Sequence, residues 1–231
     1  MSADVAAIVP AAGAGKRLGG WIAKPLVPLD GVPLLVHGLR ALQESPAVRW
    51  IIPVVRSGEQ AHVIRLVRRH RITKALPPLV GGRSRAESVA RGFAALPRAA
   101  NWVLIHDGAR PCVSRRLVAR AIRSAKRYGA VVCGLPASLT VKAVDEAGGV
   151  RLTLDRDHLW FVQTPQVFRR DWLAQALQRA DGMLQRFPDD AAIVESAGFP
   201  VRVIAGDPLN LKVTTREDLL VAEAILRSSR G

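Results

Sequence analysis

The chain has 231 residues, 49% of them hydrophobic, a net charge of +15 and two cysteines, Cys112 and Cys133. That length suffices for one large α/β domain with a substantial core, and no apolar run approaches the roughly 18 residues that span a bilayer. Two thiols without partner spacing exclude a disulfide framework and a cysteine-built zinc site. The opening MSADVAAIVP lacks the basic stretch and long apolar run of a secretion signal, so a cytoplasmic protein without membrane contact is expected.

The apolar run 5–9, bounded by Pro10, predicts a buried strand. Apolar residues recur at helical spacing over 33–44, residues 49–55 form a second β run, and 58–70 is an amphipathic helix carrying Val63, Leu66 and Val67. Residues 75–80 read as a weak strand interrupted by prolines. Ser84 opens a helix, and Glu87 three residues on completes a capping box. A strand over 102–106 follows, then a helix capped by Ser114 and stopped at Gly129, then a strand over 130–135. This alternation is the signature of a mostly parallel sheet covered on both faces, with ligands at the carboxyl ends of its strands. Residues 136–160 break the alternation: 140–144 and 150–154 are β-prone and flank the turn-like Asp145-Glu146-Ala147-Gly148-Gly149, a hairpin outside the main sheet. Beyond it, 163–168 is extended, 171–180 and 189–197 are helical, and 201–205 and 210–213 are strands. Thr215 opens a last helix to 227, with Asp218 at the capping-box position.

Two loops at the expected carboxyl ends carry most of the polar chemistry. The first reads PAAGAGKRLGGWIAK, from Pro10 to Lys24. It is neither a dinucleotide fingerprint, since Leu18 stands where the third glycine belongs, nor a Walker loop, since Pro10 replaces the first glycine and Arg17 follows Lys16. Small side chains at Ala11, Ala12, Gly13, Ala14 and Gly15 still let backbone amides approach a phosphate, and Lys16, Arg17 and Lys24 add charge. The second loop, HDGARP, places Asp107 after a buried strand, where a carboxylate can hold Mg²⁺, accept a ribose hydroxyl or serve as a turn residue. Arg110 beside it can bind a phosphate bidentately, and His106 reads as a packed histidine rather than a base. Lys212, in the late stretch Asn210-Leu211-Lys212-Val213-Thr214, would aim at the same phosphates if that stretch lay beside the first strand.

The excess arginines, among them Arg65, Arg68, Arg69, Arg115, Arg116, Arg120 and Arg123, scatter over helices, and only 5% of residues are aromatic. That is not the stripe of a nucleic-acid reader, although it favours the arrival of a phosphate-bearing ligand. No cluster of metal-ligating side chains and no nucleophile–base pair stands out. Cations and backbone amides with little proton traffic suit phosphoryl or nucleotidyl transfer, where catalysis is positioning plus charge stabilisation.

The segments VPAAGAGKRL with Lys24, GGRSRAESV, HDGARPCV, LDRDHLWFVQTPQVF, DDAAIVESAG and NLKVTTREDL, in this order, resemble the 2-C-methyl-D-erythritol 4-phosphate cytidylyltransferases of the non-mevalonate isoprenoid pathway. The resemblance implies a single three-layer, Rossmann-like nucleotidyltransferase domain over 1–231, a mostly parallel twisted sheet with helices on both faces. It further implies a homodimer in which the 136–160 β-arm reaches the partner and its acceptor pocket. Pro10, Ala11, Ala12, Gly82 and Ser88 then match positions around cytosine, and Asp107 and Gly108 the ribose side. Gly13, Ala14, Gly15, Lys16, Arg17, Lys24 and Lys212 match the triphosphate and reacting centre, with Arg17, Lys24 and Lys212 as catalytic residues. Arg110, Thr140, Arg156 and Thr164 match the methylerythritol phosphate pocket. Mg²⁺ would be held mainly through the CTP phosphates, with Asp107 as the candidate protein ligand. The chain departs from the family's pattern at Ala23 and Pro25 around Lys24, at Arg83, and at Pro188. Two other readings remain: a sister cytidylyltransferase for another polyol phosphate such as ribitol 5-phosphate, and a basic nucleic-acid-binding protein.

Overall fold

A computed structural model of the chain describes residues 4–13 and 24–228. Strand β1 (Val5–Pro10) lies inside a seven-stranded sheet. Its side chains alternate between two cores, Val5, Ala7 and Val9 on one face and Ala6 and Ile8 on the other, the two-residue period of a strand buried on both sides. β1 pairs in parallel with β4 (Val48–Val55) and β6 (Trp102–Ile105), and β4 with β5 (Leu79–Val80). β10 (Trp160–Arg169) runs antiparallel between β6 and β7 (Ala130–Pro136), and β11 (Arg202–Ala205) closes the far edge parallel to β7. The expected mostly parallel sheet is therefore present, with β10 as its one reversed strand.

Helices α1 (Leu34–Gln43), α2 (Gln60–Arg69) and α4 (Arg115–Tyr128) cover one face, where Leu39, Val63 and Ile122 share a core with Val5. Helices α3 (Arg85–Ala94), α5 (Arg170–Arg179) and α6 (Asp190–Ser196) cover the other, through Val89, Leu173 and Val194. The last helix, α7 (Arg216–Ser228), buries Ala222 with Leu29 of a two-residue-strand hairpin, β2 (Pro28–Leu29) and β3 (Val32–Pro33), and with Leu34 of α1. Among the described residues no helix is long and apolar enough to cross a membrane.

Helix starts follow the capping signals. Ser84 Oγ accepts from the Glu87 amide at 3.1 Å and Ser114 Oγ from the Leu117 amide at 3.2 Å. Ahead of α7, Asp218 Oδ2 accepts from the Thr215 amide at 2.9 Å while the Asp218 amide donates to Thr215 Oγ1 at 3.3 Å, a reciprocal capping box. Gly129 ends α4 with φ 88°, a left-handed value that glycine takes without side-chain strain.

Three expectations require correction. Residues 210–213 are not a strand: Val213 makes one ladder-like bond, its amide to Ala109 O at 2.9 Å, and the side chain and carbonyl of buried Asn210 are committed to tertiary partners. The strand over 75–80 shrinks to Leu79–Val80 with an isolated bridge at Ala75, because Pro77 and Pro78 have no amide to donate. The extended segment 163–168 is the inner half of a longer strand that begins at Trp160. Beyond β7 the arm forms as expected: β8 (Val141–Val144) pairs antiparallel with β9 (Val150–Leu154) as a separate two-stranded sheet.

Candidate active site

The carboxyl ends of β1 and β6 open beside the start of α3 onto a cavity of about 370 Å³, within the range of small-molecule sites. Pro10, Ala11, Ala12 and Gly13 form one wall, Gly82, Arg83, Ser84 and Ser88 another, and Lys24, Asp107 and Lys212 gather at the polar side. The walls are close-set by glycines. A Cβ on Gly81 would lie 2.6 Å from Ala12 Cβ and 2.8 Å from Ser88 Oγ, so the two loops approach each other only because that side chain is absent. Ser88 is buried; its hydroxyl accepts from the Gly82 amide at 3.1 Å and donates to Ser84 O at 2.9 Å, fixing the second wall to the first turn of α3. The Ala11 amide is already bonded to Val54 O at 2.7 Å, and the Gly108 amide to Pro10 O at 3.1 Å. Gly108 thus braces the end of β1 from behind, outside the residues that line the cavity.

Asp107 is the electrostatic centre of the site. Its Oδ1 accepts from Arg85 Nε at 2.8 Å, its Oδ2 lies 2.8 Å from Lys212 Nζ, and Arg110 Nε stands 3.9 Å away. Burial pushes the Asp107 carboxyl up, but the Arg85 and Lys212 cations outweigh it and hold the group well below the usual carboxylate range. Arg85 also reaches Asp190 Oδ2 at 2.7 Å through Nη1. Asp190 is fully buried, and that burial pushes its carboxyl up against the pull of Arg85. His106 is held beneath this network. Its Nε2 is 3.1 Å from Arg110 O, which can only accept, so Nε2 carries the hydrogen and Nδ1 accepts from the Thr164 hydroxyl at 3.1 Å. Thr164 Oγ1 in turn accepts from the Asp107 amide at 3.1 Å. Complete burial lowers the His106 pKa to about 4, which keeps the ring neutral and leaves it a structural part rather than a base.

A second hollow of about 490 Å³ shares Arg85, Asp107 and Lys212 with the first. Arg110, Thr164 and Gln166 line one side of it, and Pro188, Asp189 and the first turn of α6, through Ala191 and Ala192, another. Arg110 Nη1 donates to Asn210 O at 2.7 Å and Asn210 Nδ2 donates to Thr164 O at 2.7 Å. The irregular run before α7 therefore locks to β10 and carries Lys212 to the boundary between the two hollows.

Apart from Gly108, the sequence-predicted site residues fall into four groups. Pro10, Ala11, Ala12, Gly13, Lys24, Gly82, Ser88, Asp107 and Lys212 line the first hollow, and Arg110 and Thr164 the second. Thr140 and Arg156 lie out on the arm, exposed, with Arg156 Nη1 donating to Ser138 O at 2.8 Å. Ala14, Gly15, Lys16 and Arg17 lie outside the described residues. Arg85, Asp190 and Asn210 escaped sequence reasoning. The available signal for Arg85 was the pair Arg83 and Arg85 around the Ser84 cap, which helix capping alone accounts for locally.

A mostly parallel α/β sheet with lysines and small-residue loops around a cavity at its carboxyl edge defines a nucleotidyltransferase of Rossmann-like fold. The family model of 2-C-methyl-D-erythritol 4-phosphate cytidylyltransferase matches residues 5–228. A relative of that name from Pelotomaculum thermopropionicum is 41% identical over 228 residues, covering 98% of this chain and 96% of its own. Among solved structures, 4-diphosphocytidyl-2C-methyl-D-erythritol synthase from Anaerococcus prevotii superposes with a TM-score of 0.84 at 27% identity, covering 96% of this chain and 98% of that one. The 2-C-methyl-D-erythritol 4-phosphate cytidylyltransferase of Thermus thermophilus gives 0.79 at 32% identity, covering 98% and 100%. The chain belongs to the 2-C-methyl-D-erythritol 4-phosphate cytidylyltransferase family, and its reaction joins CTP to 2-C-methyl-D-erythritol 4-phosphate in the non-mevalonate route to isoprenoids.

Proposed function

We propose that the first hollow holds CTP and the second the acceptor phosphate, with Lys212 at their junction. The observation that carries this reading is the meeting of Lys24, Asp107 and Lys212, from three distant parts of the chain, around one cavity. An acceptor phosphate oxygen attacks the α-phosphorus of CTP in line. The new P–O bond forms as the bond to the β-phosphate oxygen breaks, and pyrophosphate leaves with that electron pair. The attacking oxygen is already anionic near neutral pH, since a phosphate monoester's second pKa is about 6. No general base is needed, in keeping with the neutral, buried His106. Lys24, and by resemblance Arg17, stabilise charge on the α-phosphate oxygens, while Lys212 holds both phosphates.

Among the described residues, Asp107 is the sole carboxylate lining the first hollow, and no group of three or more acids, histidines or cysteines gathers. That donor set fits a Mg²⁺ carried in by the triphosphate, with at most one protein oxygen as ligand. Such an ion would supply charge neutralisation between two polyanions. Both Asp107 oxygens already accept from cations, so the carboxylate's main work is to hold Lys212 and Arg85.

The arm supports a homodimer. Leu139, Val150, Leu152 and Phe161 are each more than half exposed, an apolar face that a second copy would cover. Thr140 and Arg156 then serve the partner's acceptor hollow. We place the enzyme, one domain over 1–231, in the cytoplasm. Pyrophosphate release from CTP, measured with methylerythritol phosphate and with ribitol 5-phosphate offered in turn, tests the assignment. Release with the first acceptor is expected; release with ribitol 5-phosphate alone would overturn the acceptor reading.

A further inference from the structure

Arg85 lies outside the phosphate-contacting set just described, yet it borders both hollows. Its side chain is 28% exposed and binds two carboxylates that are themselves buried, Asp107 after β6 and Asp190 at the start of α6. Asp107 has further partners in Lys212 and, at 3.9 Å, Arg110. Asp190 has one ion pair among the described residues, that with Arg85, and its Oδ1 is buried with no hydrogen-bond partner. The neighbouring Asp189 is engaged elsewhere, accepting from the Ala192 amide at 2.9 Å and from Gln166 Nε2 at 2.9 Å. A single guanidinium therefore ties together α3, which walls the first hollow, the HDGARP loop, and α6, which walls the second.

We propose that Arg85 is a positioning residue for cytidylyl transfer: by gripping Asp107 from one side and Asp190 from the other, it orients the Asp107 carboxylate that presents Lys212 to the junction of the two substrates. The inference rests on the reading of Lys212 given above. Planar Nε and Nη1 donors suit this task, because a guanidinium can serve two carboxylates at fixed angles whereas an ammonium is a point charge. Without Arg85 the Asp107 carboxylate keeps Lys212 but loses the bond that fixes its plane. A displacement of about 1 Å at the reacting centre costs about 100-fold in rate.

Removing Arg85 alone would strand the buried Asp190 charge and destabilise the fold, so the decisive variant is Arg85→Met combined with Asp190→Asn, which deletes the cation together with the buried charge it pairs. The double variant is expected to regain thermal stability relative to Arg85→Met while its kcat stays about 100-fold below wild type. Its KM for CTP is expected to stay near the wild-type value, the mark of a misplaced reacting group rather than of lost binding. Restoration of both stability and wild-type turnover would overturn the proposal, since a purely structural bridge predicts that result. Arg85→Lys decides the matter even if the double variant fails to fold: a reduced kcat at near-wild-type KM for CTP and melting temperature supports positioning, and wild-type turnover refutes it. Lys212→Ala, assayed in parallel, separates the two levels. Full turnover there sinks the reading of the site, whereas an inactive Lys212→Ala beside a wild-type-like Arg85→Lys sinks only the role given to Arg85.

Discussion

At the scale of single residues, burial and partners decide which of the polar groups do chemistry. Lys24 occupies a 3-10 turn (Lys24–Leu26) and lines the first hollow without belonging to a hydrophobic core. Lys24→Ala is therefore expected to keep its melting temperature and CTP binding while kcat falls about 10²- to 10³-fold, on the order of 3–4 kcal/mol of transition-state stabilisation. Single-turnover assays beside calorimetry would measure both. His106 makes the opposite case. Its folded pKa of about 4 lies below the ordinary 6.5, so the unfolded chain takes up a proton first as pH falls. Its contribution to stability is complete above pH 6.5 and is lost between there and about pH 4, a loss of about 3 kcal/mol. Urea unfolding at pH 7 and pH 4.5 should show a steeper acid loss for wild type than for His106→Asn, which has no ring to titrate. Asp107 was legible in the sequence because a carboxylate just past an apolar run, two residues beyond Ile105, stands at the carboxyl end of a buried strand. Arg85 was not, because its two partners lie 22 and 105 residues away and no local pattern encodes such a bridge.

Elements depend on a few backbone positions that the sequence does announce. Gly129 ends α4 at φ 88°, and a Cβ there would collide with the ring of Trp172, which stacks on Phe199 at 4.9 Å. Gly129→Ala combines left-handed strain with overpacking and should cost about 2–4 kcal/mol, read as a lowered urea midpoint at unchanged slope. Strands and helices with strong periods, such as β1, β4 and α4, emerge from pattern alone. The direction of β10 does not, since a two-residue period is the same read either way, and only pairing with β6 and β7 makes it antiparallel. Residues 210–213 have strand-like composition, yet tertiary demand overrides it: buried Asn210 takes Arg110 on its carbonyl and gives its amide to Thr164.

For the whole molecule, the proposed division of labour between subunits has a direct test. Neither Thr140 nor Arg156 lines a hollow of its own chain. If the arm works in trans, mixing inactive Lys24→Ala protein with Arg156→Ala protein lets mixed dimers form with one intact site, and pyrophosphate release should recover. No recovery after subunit exchange would place the arm's action within its own chain. Two separate binding sets were legible through the family resemblance; that the two hollows share Arg85, Asp107 and Lys212 was not, because it depends on how β6, β10, α6 and the run before α7 converge at one sheet edge.

Strand β10 joins these scales. Its outer residues, Trp160 to Gln163, pair with β7 alone, and its inner ones, Gln166 to Arg169, are held by β6 as well. Between them the ladder to β7 skips, as Gln163 opposes Cys133 and Gln166 opposes Val132. Thr164 and Pro165 stand at that skip, and Thr164 lines the second hollow. The strand that roots the protruding hairpin is thus also a wall of the second hollow, and at Thr164 the two share a residue pinned by His106, the Asp107 amide and Asn210.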